Sequence, residues 1–199
     1  MGKRQESSQK KKTKIIQRTT KLLLKKGSAS STSTTEICSA AGLTRPTLYH
    51  YFTSKRNLML AVHMDHMERT LKPFLREATA MADPLERLSY MIRTFLTEIV
   101  CKHPELRVLI HDSLSMKDKY FREVRGVWKE HYTLLLRTIS ELQADGLADR
   151  DLKASWAALF VLGMATWVLY WYDYDHKIEA SELADQALRH VLSGLSIKP

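Results

Sequence analysis

The stretch GLTRPTLYHYFTSK, residues 42–55, constrains the fold of this chain more than any other part of the sequence. It carries signals for the end of one helix and the start of the next. Gly42 follows a short apolar segment and is a suitable helix stop, and Thr44 is a suitable N-cap for a new helix. Pro46 fits the first turn of that helix, where the backbone has no use for the N–H group that proline lacks. We therefore predict two short helices joined by a turn at the glycine.

The second of these helices is too rich in aromatic groups for one buried face. Leu48 and Phe52 are four residues apart and define a buried stripe together with Leu43. The positions left on the outer faces or at their boundary are Arg45, Pro46, Thr47, Tyr49, His50 and Tyr51. A helix-turn-helix with such an outward face predicts contact with a large polar partner, and DNA is the typical one.

The charge of the chain is concentrated in its first quarter. The full sequence has 31 Lys and Arg against 22 Asp and Glu, a formal net charge of +9. Residues 1–56 contain 13 of the bases and two of the acids, which gives this segment +11 and leaves −2 for the rest. For Lys10, Lys11 and Lys12 two interpretations stay open, a solvated tail or part of a nucleic-acid-binding surface.

The composition indicates a helical protein. The chain has 199 residues with 44% hydrophobic residues, only 7 glycines and 5 prolines, and no strand-like alternation. Apolar periodicity and capping signals predict an all-α fold of about nine helices, the first over residues 14–26. The two cysteines, Cys38 and Cys101, show no pairing pattern, and no apolar segment typical of a signal peptide follows the basic N-terminus. We expect a cytoplasmic protein.

The segment TTEICSAAGLTRPTLYHYFTSKRNLMLAV, residues 34–62, resembles the DNA-binding segment of TetR-family transcriptional regulators. The family pattern GxxxxTLYxxFxxKxxL is matched at Gly42, Thr47, Leu48, Tyr49, Phe52, Lys55 and Leu58. The resemblance implies a homodimer that binds a palindromic operator in double-stranded DNA. It implies a three-helix DNA-binding domain over residues 1–54 and a helical domain for effector binding and dimerisation over residues 55–199. The implied function is that of a repressor released from DNA by a small molecule.

Carried over by motif position, the resemblance assigns roles in DNA binding to nine residues. Thr34 and Thr35 are expected to contact phosphate, and Arg45, Pro46 and Thr47 to approach base edges. Tyr49, His50 and Tyr51 are expected to contact the DNA backbone or bases, and Lys55 to hold a phosphate. Arg45 is the best candidate for base recognition, because a guanidinium can pair bidentately with a guanine edge. The sequence departs from the family pattern at Ser28, where an aromatic residue is frequent, and at Cys38, where alanine is usual.

Residues 154–172, ASWAALFVLGMATWVLYWY, are 19 residues without a charge. This length satisfies the criterion for a membrane span, but a soluble helix covered on two sides is the interpretation we prefer for a charged helical chain. Phe160, Met164, Trp167 and Trp171 form one stripe at helical spacing, and Ala157, Val161, Ala165 and Val168 form another. One stripe is expected to face the core and an effector pocket. The small-residue stripe is the candidate for the contact with a partner subunit.

The aromatic residues of the C-terminal half favour a pocket for an apolar ligand, with plain core packing as the alternative. The pattern WVLYWYDYD also resembles the end of the corresponding helix in TetR regulators that respond to acyl-CoA or steroid-derived thioesters. The effector candidates are therefore an acyl-CoA and an aromatic or other apolar acid. The residues expected to contact it are Arg107, His111, Trp128, Tyr132, Met164, Trp167 and Trp171.

No catalytic, cofactor or metal site is predicted. His63 and His66 share a helix face, but no third metal ligand is apparent near them in the sequence. The chain has no G-x-S-x-G, H-E-x-x-H, P-loop or dinucleotide-binding motif. Two alternatives to a ligand-responsive regulator stay open. A DNA-binding regulator without an effector would have a filled C-terminal domain, and a helical enzyme would have a pocket with converging titratable groups.

Overall fold

A computed structural model of the chain describes residues 3–115, 122–172 and 179–197. Every regular element in these ranges is helical, so the all-α class is confirmed. The helices are α1 Lys3–Lys26, α2 Thr34–Ala41, α3 Arg45–Tyr51, α4 Lys55–Arg69, α5 Leu71–Ala80, α6 Pro84–Thr94, a π-helical turn Phe95–Val100, α7 Glu105–Ser115, α8 Arg122–Ala144, α9 Ala154–Trp171 and α10 Ala180–Gly194.

The chain folds into two compact units. The first, which we call the N-terminal unit, comprises Met1–Glu68 and Glu105–Arg125, and the second, the C-terminal unit, comprises Arg69–Pro104 and Gly126–Pro199. These units differ from the predicted functional domains, because α4 and α7 are part of the N-terminal unit. The chain thus crosses between the units at three points rather than at one.

The N-terminal unit is organised on the inner face of α1. Ile15, Thr19 and Leu23 follow at four-residue intervals and are at most 3% exposed, and α1 packs against α2 and α7. The apolar periodicity predicted a helix that begins near Lys14. The helix in fact begins at Lys3. The added turns have no apolar stripe, but they contain no glycine or proline and are rich in lysine and glutamine, which favour helix.

The C-terminal unit packs α10 against α6 and sets both α9 and α10 against the π-helical turn. The residues of α9 that are buried include Ala158, Val161 and Ala165. On the same helix Phe160 is 71%, Trp167 59% and Trp171 75% exposed. Of the small-residue stripe predicted to make the subunit contact, Val161 and Ala165 are buried within the chain and Ala157 and Val168 are half-buried, so this stripe is not the exposed face of α9. Small side chains allow a close approach of helices, and this chain uses them inside its own core.

The helix α9 is also long and apolar enough to cross a membrane by length and composition, and only 22% of its apolar window is buried. The same test is passed by core helices of soluble proteins, so it is weak evidence for a membrane span. The exposed residues of α9 include its largest apolar side chains, Trp156, Phe160, Trp167 and Trp171, which its own unit leaves uncovered.

A buried arginine joins α6 to α8 in the C-terminal unit. Arg87 is 2% exposed, and its guanidinium donates to the carbonyl groups of Met81 and Ala82, to Oγ1 of Thr138 and to the carboxylate of Glu141. Burial alone would raise the pKa of Glu141, but the hydrogen bonds from Arg87 and Arg137 lower that pKa below its ordinary value.

We expect Arg87→Leu to lower the free energy of unfolding by about 3 kcal/mol, because two backbone carbonyl groups and one carboxylate lose a buried donor. Arg137→Leu is the matched control, since Arg137 bonds the same carboxylate through Nε at 2.8 Å but is 57% exposed. The control is expected to cost less than about 1 kcal/mol. Urea unfolding of both variants measures the difference, and equal costs would contradict a buried role for Arg87.

Candidate DNA-binding surface and effector site

The start of α2 is fixed by a reciprocal cap. The side chain of Ser33 accepts a hydrogen bond from the backbone N–H of Glu36, and the carboxylate of Glu36 accepts one from the N–H of Ser33 at 2.7 Å. Lys26, in the last turn of α1, donates to the same carboxylate at 2.6 Å. The Lys26 bond, with those from Ser33, lowers the pKa of Glu36 to about 2. The end of α1 is thereby tied to the beginning of α2.

The turn between α2 and α3 requires a glycine. Gly42 has φ 66° and ψ 43°, a left-handed conformation that costs little only without a Cβ. A Cβ there would also lie 3.2 Å from Nη1 of Arg18, and this Nη1 donates to the carbonyl oxygen of Ala41 at 2.6 Å. The glycine therefore sets the angle between the two helices and leaves room for the arginine of α1.

The helix α3 presents the face predicted from the sequence. The hydroxyl of Thr44 accepts a hydrogen bond from the N–H of Thr47 and caps the helix, while Leu48 and Phe52 are 1% and 6% exposed. Leu43, predicted to belong to the buried stripe, is half-buried. The residues predicted to face DNA are exposed apart from Tyr51, which is half-buried: Arg45, Pro46, Thr47, Tyr49 and His50.

The predicted base reader is already positioned by α2. Nη2 of Arg45 donates to Oγ1 of Thr35 at 2.7 Å. Thr35 is exposed and Thr34, beside it, is half-buried. One hydrogen bond thus connects a residue predicted to approach bases with one predicted to contact phosphate, and it restricts the rotamers of a long side chain before any partner binds.

Lys55 has a contact that the sequence did not indicate. Its Nζ donates to the backbone carbonyl of Ala29 at 2.8 Å, 26 residues earlier in the chain. This bond holds the loop after α1 to the start of α4. An ammonium group has three donors, so the bond is compatible with the predicted phosphate contact. That contact stays a prediction.

The first turns of α1 form a basic helical arm. The side chains of residues 5–11 and of Lys14 are exposed, and four of these residues are lysine or glutamate. Near the end of this arm Nζ of Lys12 lies 5.8 Å from the ring centroid of Phe52, the C-cap residue of α3. The basic segment is therefore helical, and it meets the core next to the helix predicted to bind DNA.

The seven predicted effector contacts are spread over both units. Arg107 and His111 are exposed on α7 of the N-terminal unit. The other five lie in the C-terminal unit, where Trp128, Tyr132 and Met164 are half-buried and Trp167 and Trp171 are exposed. The two exposed tryptophans contact each other, with ring centroids 6.4 Å apart.

A groove of about 570 Å³ runs between α9 and α10. Its lining is mostly apolar and includes Trp156, Phe160, Met164, His190, Val191 and Leu195. Because Trp156 and Phe160 are among the most exposed large side chains of the described residues, this groove is an open surface feature rather than an enclosed ligand cavity.

One residue of the C-terminal unit was missed by sequence reasoning. His131 on α8 is 2% exposed, and its ring lies among those of Phe74, Phe95 and Trp128 at centroid distances of 5.4, 4.9 and 6.3 Å. Within the described residues its Nδ1 has no hydrogen-bond partner. The helical spacing from Trp128, three residues earlier, was the available signal that the imidazole points inward.

The histidines of α4 are engaged within the N-terminal unit. Nδ1 of His63 lies 2.8 Å from the carbonyl oxygen of Met59, and its Nε2 lies 2.9 Å from that of Leu109 on α7. His66 is 2% exposed and lies 3.7 Å from the carboxylate of Glu105. Nδ1 of His63 thus bonds within α4, and Nε2 connects α4 with α7.

Two protein-family models match this chain, one after the other along the sequence. A family model described as bacterial regulatory proteins of the TetR family matches residues 15–62, which contain α2 and α3. A second model, described as a tetracyclin repressor-like C-terminal domain, matches residues 81–195, more than half of the chain. The chain belongs to the TetR family. Its fold is a helix-turn-helix region followed by a TetR-type helical domain, and the family consists of DNA-binding transcriptional regulators.

Similar proteins include both a repressor and an activator. The transcriptional repressor KstR2 of Mycolicibacterium smegmatis is 24% identical over 163 residues, 81% of this chain and 79% of that protein. The transcriptional activator FasR of the same organism is 24% identical over 171 residues, 82% of this chain and 74% of that protein.

Solved structures share the fold over almost the whole chain. AibR in complex with isovaleryl coenzyme A and operator DNA has a TM-score of 0.79 at 23% identity, covering 90% of this chain and 97% of that one. FadR from Bacillus subtilis in complex with stearoyl-CoA has a TM-score of 0.74 at 17% identity, covering 92% and 98%.

Proposed function

We propose that this TetR-family protein is a cytoplasmic homodimer that represses transcription from a palindromic operator and leaves the DNA when an apolar effector binds its C-terminal unit. The observation that carries the DNA-binding part is the capped, outward-facing helix α3 within a segment of charge +11. Arg45, held by Thr35, reads a base edge in the major groove, while Thr34, Thr35, Tyr49 and Lys55 position the protein on the phosphate backbone.

Arg45→Ala is expected to weaken binding to the preferred operator by about 1–3 kcal/mol and to relax discrimination at one base position, because the bidentate contact is lost. Arg45→Lys is the matched control: it keeps the charge and loses the planar fork, so it should also lose the discrimination. The measurement is the affinity for an operator selected from random duplexes and for each single-base variant of it. If Arg45→Lys retained full discrimination, Arg45 would be a phosphate contact.

The exposed apolar face of α9 supports the homodimer. Trp156, Leu159, Phe160, Trp167 and Trp171 are each more than half exposed in one subunit. A soluble monomer rarely exposes so large a contiguous apolar patch. A second copy brings the same face, so a two-fold axis beside α9 and α10 covers both patches and fills both grooves. This assignment replaces the small-residue stripe as the dimer contact.

Phe160→Glu is expected to convert the dimer into a folded monomer, because each subunit would bury an unpaired carboxylate in the interface. Leu147→Glu introduces the same charge at an apolar residue that is 48% exposed and outside the groove, and it should leave the dimer intact. Sedimentation velocity at micromolar concentration distinguishes the two results. A wild-type protein that sediments as a monomer would contradict the proposed interface.

An apolar effector is supported by the kind of ligand found in relatives of the same fold. AibR and FadR were solved with isovaleryl coenzyme A and stearoyl-CoA, respectively. In this chain the C-terminal unit offers an interior rich in aromatic rings, and three chain crossings connect that unit to the N-terminal one. We infer that the effector is an acyl-CoA or an aromatic acid and that it favours a dimer shape whose recognition helices no longer fit successive major grooves.

The effector part is tested by measuring operator affinity in the presence of acyl-CoAs of increasing chain length and of aromatic acids. A shift from 1:99 to 99:1 between two dimer shapes requires a preference of about 5.5 kcal/mol. At ~0.8 kcal/mol per buried methylene, an acyl chain of about seven methylenes supplies it. We therefore expect release to strengthen with chain length. If no compound changes operator affinity, the protein is a DNA-binding regulator without an effector of these classes.

A further inference from the structure

We propose that His131 is the polar anchor of the effector site, and that its imidazole binds an uncharged carbonyl or hydroxyl group of a ligand at a point where the adjoining part of the ligand is apolar. The inference rests on the proposed effector control and adds to it a residue and a ligand chemistry. It starts from the environment of this side chain in the C-terminal unit.

The imidazole of His131 is enclosed by carbon. The ring of Phe95 is the nearest, the ring of Phe74 meets it edge-on at an interplanar angle of 77°, and the indole of Trp128 lies nearly parallel at 26°. Phe74 stacks in turn on Tyr90, with centroids 5.7 Å apart. These rings form an aromatic cluster with one polar group in it.

The two other buried polar side chains in the described part of this unit are hydrogen-bonded. The guanidinium of Arg87 has four acceptors, and the hydroxyl of Thr138 donates to the carbonyl of Leu134 at 2.8 Å. His131 differs from both, since its Nδ1 has no partner among the described residues. An unpaired buried polar atom costs stability, so Nδ1 of His131 calls for a partner that the described residues do not supply.

The backbone beside His131 is also irregular. Phe95, whose ring is nearest to the imidazole, is the first residue of the π-helical turn, and α9 packs on the same turn. A π-helical turn inserts extra backbone into a helix and occurs frequently at functional sites. A ligand that enters beside His131 would therefore act on the turn that supports α9, the helix of the proposed dimer contact.

The surroundings of His131 favour an uncharged ligand group over a charged one. Burial lowers the pKa of His131 to about 3, so its ring is neutral at physiological pH. A neutral imidazole has one donor and one acceptor, which suit a carbonyl oxygen or a hydroxyl group. A free carboxylate would need a cation here, and Arg87, the buried arginine of this unit, already has Glu141 as its partner. Between the two proposed effector classes, the site therefore favours an acyl thioester over a free acid.

The test compares wild type with His131→Phe, which keeps the ring and removes the polar atoms, and with His131→Asn, whose amide can replace Nδ1. Ser140→Ala is the control, because it removes an exposed hydroxyl elsewhere on α8, one that donates to the carbonyl of Leu136 at 2.9 Å. The probes are acyl-CoAs of four to sixteen carbons and the matching free acids. Direct binding is measured by calorimetry without DNA, and operator release is measured separately.

We expect wild type to bind at least one thioester roughly tenfold or more tightly than its acid. His131→Phe should lose roughly five- to tenfold in thioester affinity, the worth of one hydrogen bond, while His131→Asn and Ser140→Ala stay within about threefold of wild type. The ligand-free His131→Phe protein should unfold at the same urea concentration as wild type or at a higher one, because an unpaired polar group has been replaced by carbon.

A lower urea midpoint for His131→Phe would show that the imidazole has a partner within the chain and would overturn the assignment. So would unchanged thioester affinity in that variant, equal affinity for acids and thioesters, or a wild type that binds none of the probes. Thioester binding that depends on His131 but leaves operator affinity unchanged would support the site and contradict the proposed release of DNA.

Discussion

The position of α3, the proposed recognition helix, depends on the left-handed turn at Gly42. The turn brings the C-terminal end of α2 to Arg18, whose cation bonds the carbonyl of Ala41 and interacts favourably with the helix dipole. The cap at Thr44 then starts α3 at a fixed rotation, so Leu48 points inward and Arg45 outward. The orientation of the outer face is thus determined by the protein alone, which limits the entropy that binding to DNA would cost.

The helix-turn-helix could be predicted because its signals act within one helical turn. Glycine as a stop, threonine as a cap and proline in the first turn each impose a local backbone choice, and all three agree. The bond from Lys55 to Ala29 could not be predicted in the same way. It joins residues 26 positions apart, and no local pattern specifies which carbonyl an ammonium group will find.

In the C-terminal unit, apolar periodicity predicted the helices but not which face of α9 is buried. The sequence of α9 indicates two apolar stripes but not which of them faces inward, because hydrophobicity alone does not distinguish them. Side-chain size decides: the close approach of α9 to the π-helical turn admits Val161 and Ala165, and the bulky Phe160 and Trp167 are left outside. For His131, periodicity could place the ring in the interior. Whether an interior donor or acceptor finds a partner depends on the tertiary structure and cannot be read from spacing.

Two buried nitrogen-bearing side chains, Arg87 on α6 and His131 on α8 itself, surround different parts of α8 with different kinds of contact. Thr138 and Glu141 hold the C-terminal part of the helix to Arg87, a network in which the guanidinium has acceptors on several sides. His131 lies seven residues earlier, roughly 10 Å along the helix axis, among rings that make no directional bond to Nδ1. Van der Waals contacts tolerate small displacements better than a network of short hydrogen bonds does. The same helix is therefore held firmly in its C-terminal part, whereas its middle, with the π-helical turn beside His131, is the part that would adjust to the proposed ligand.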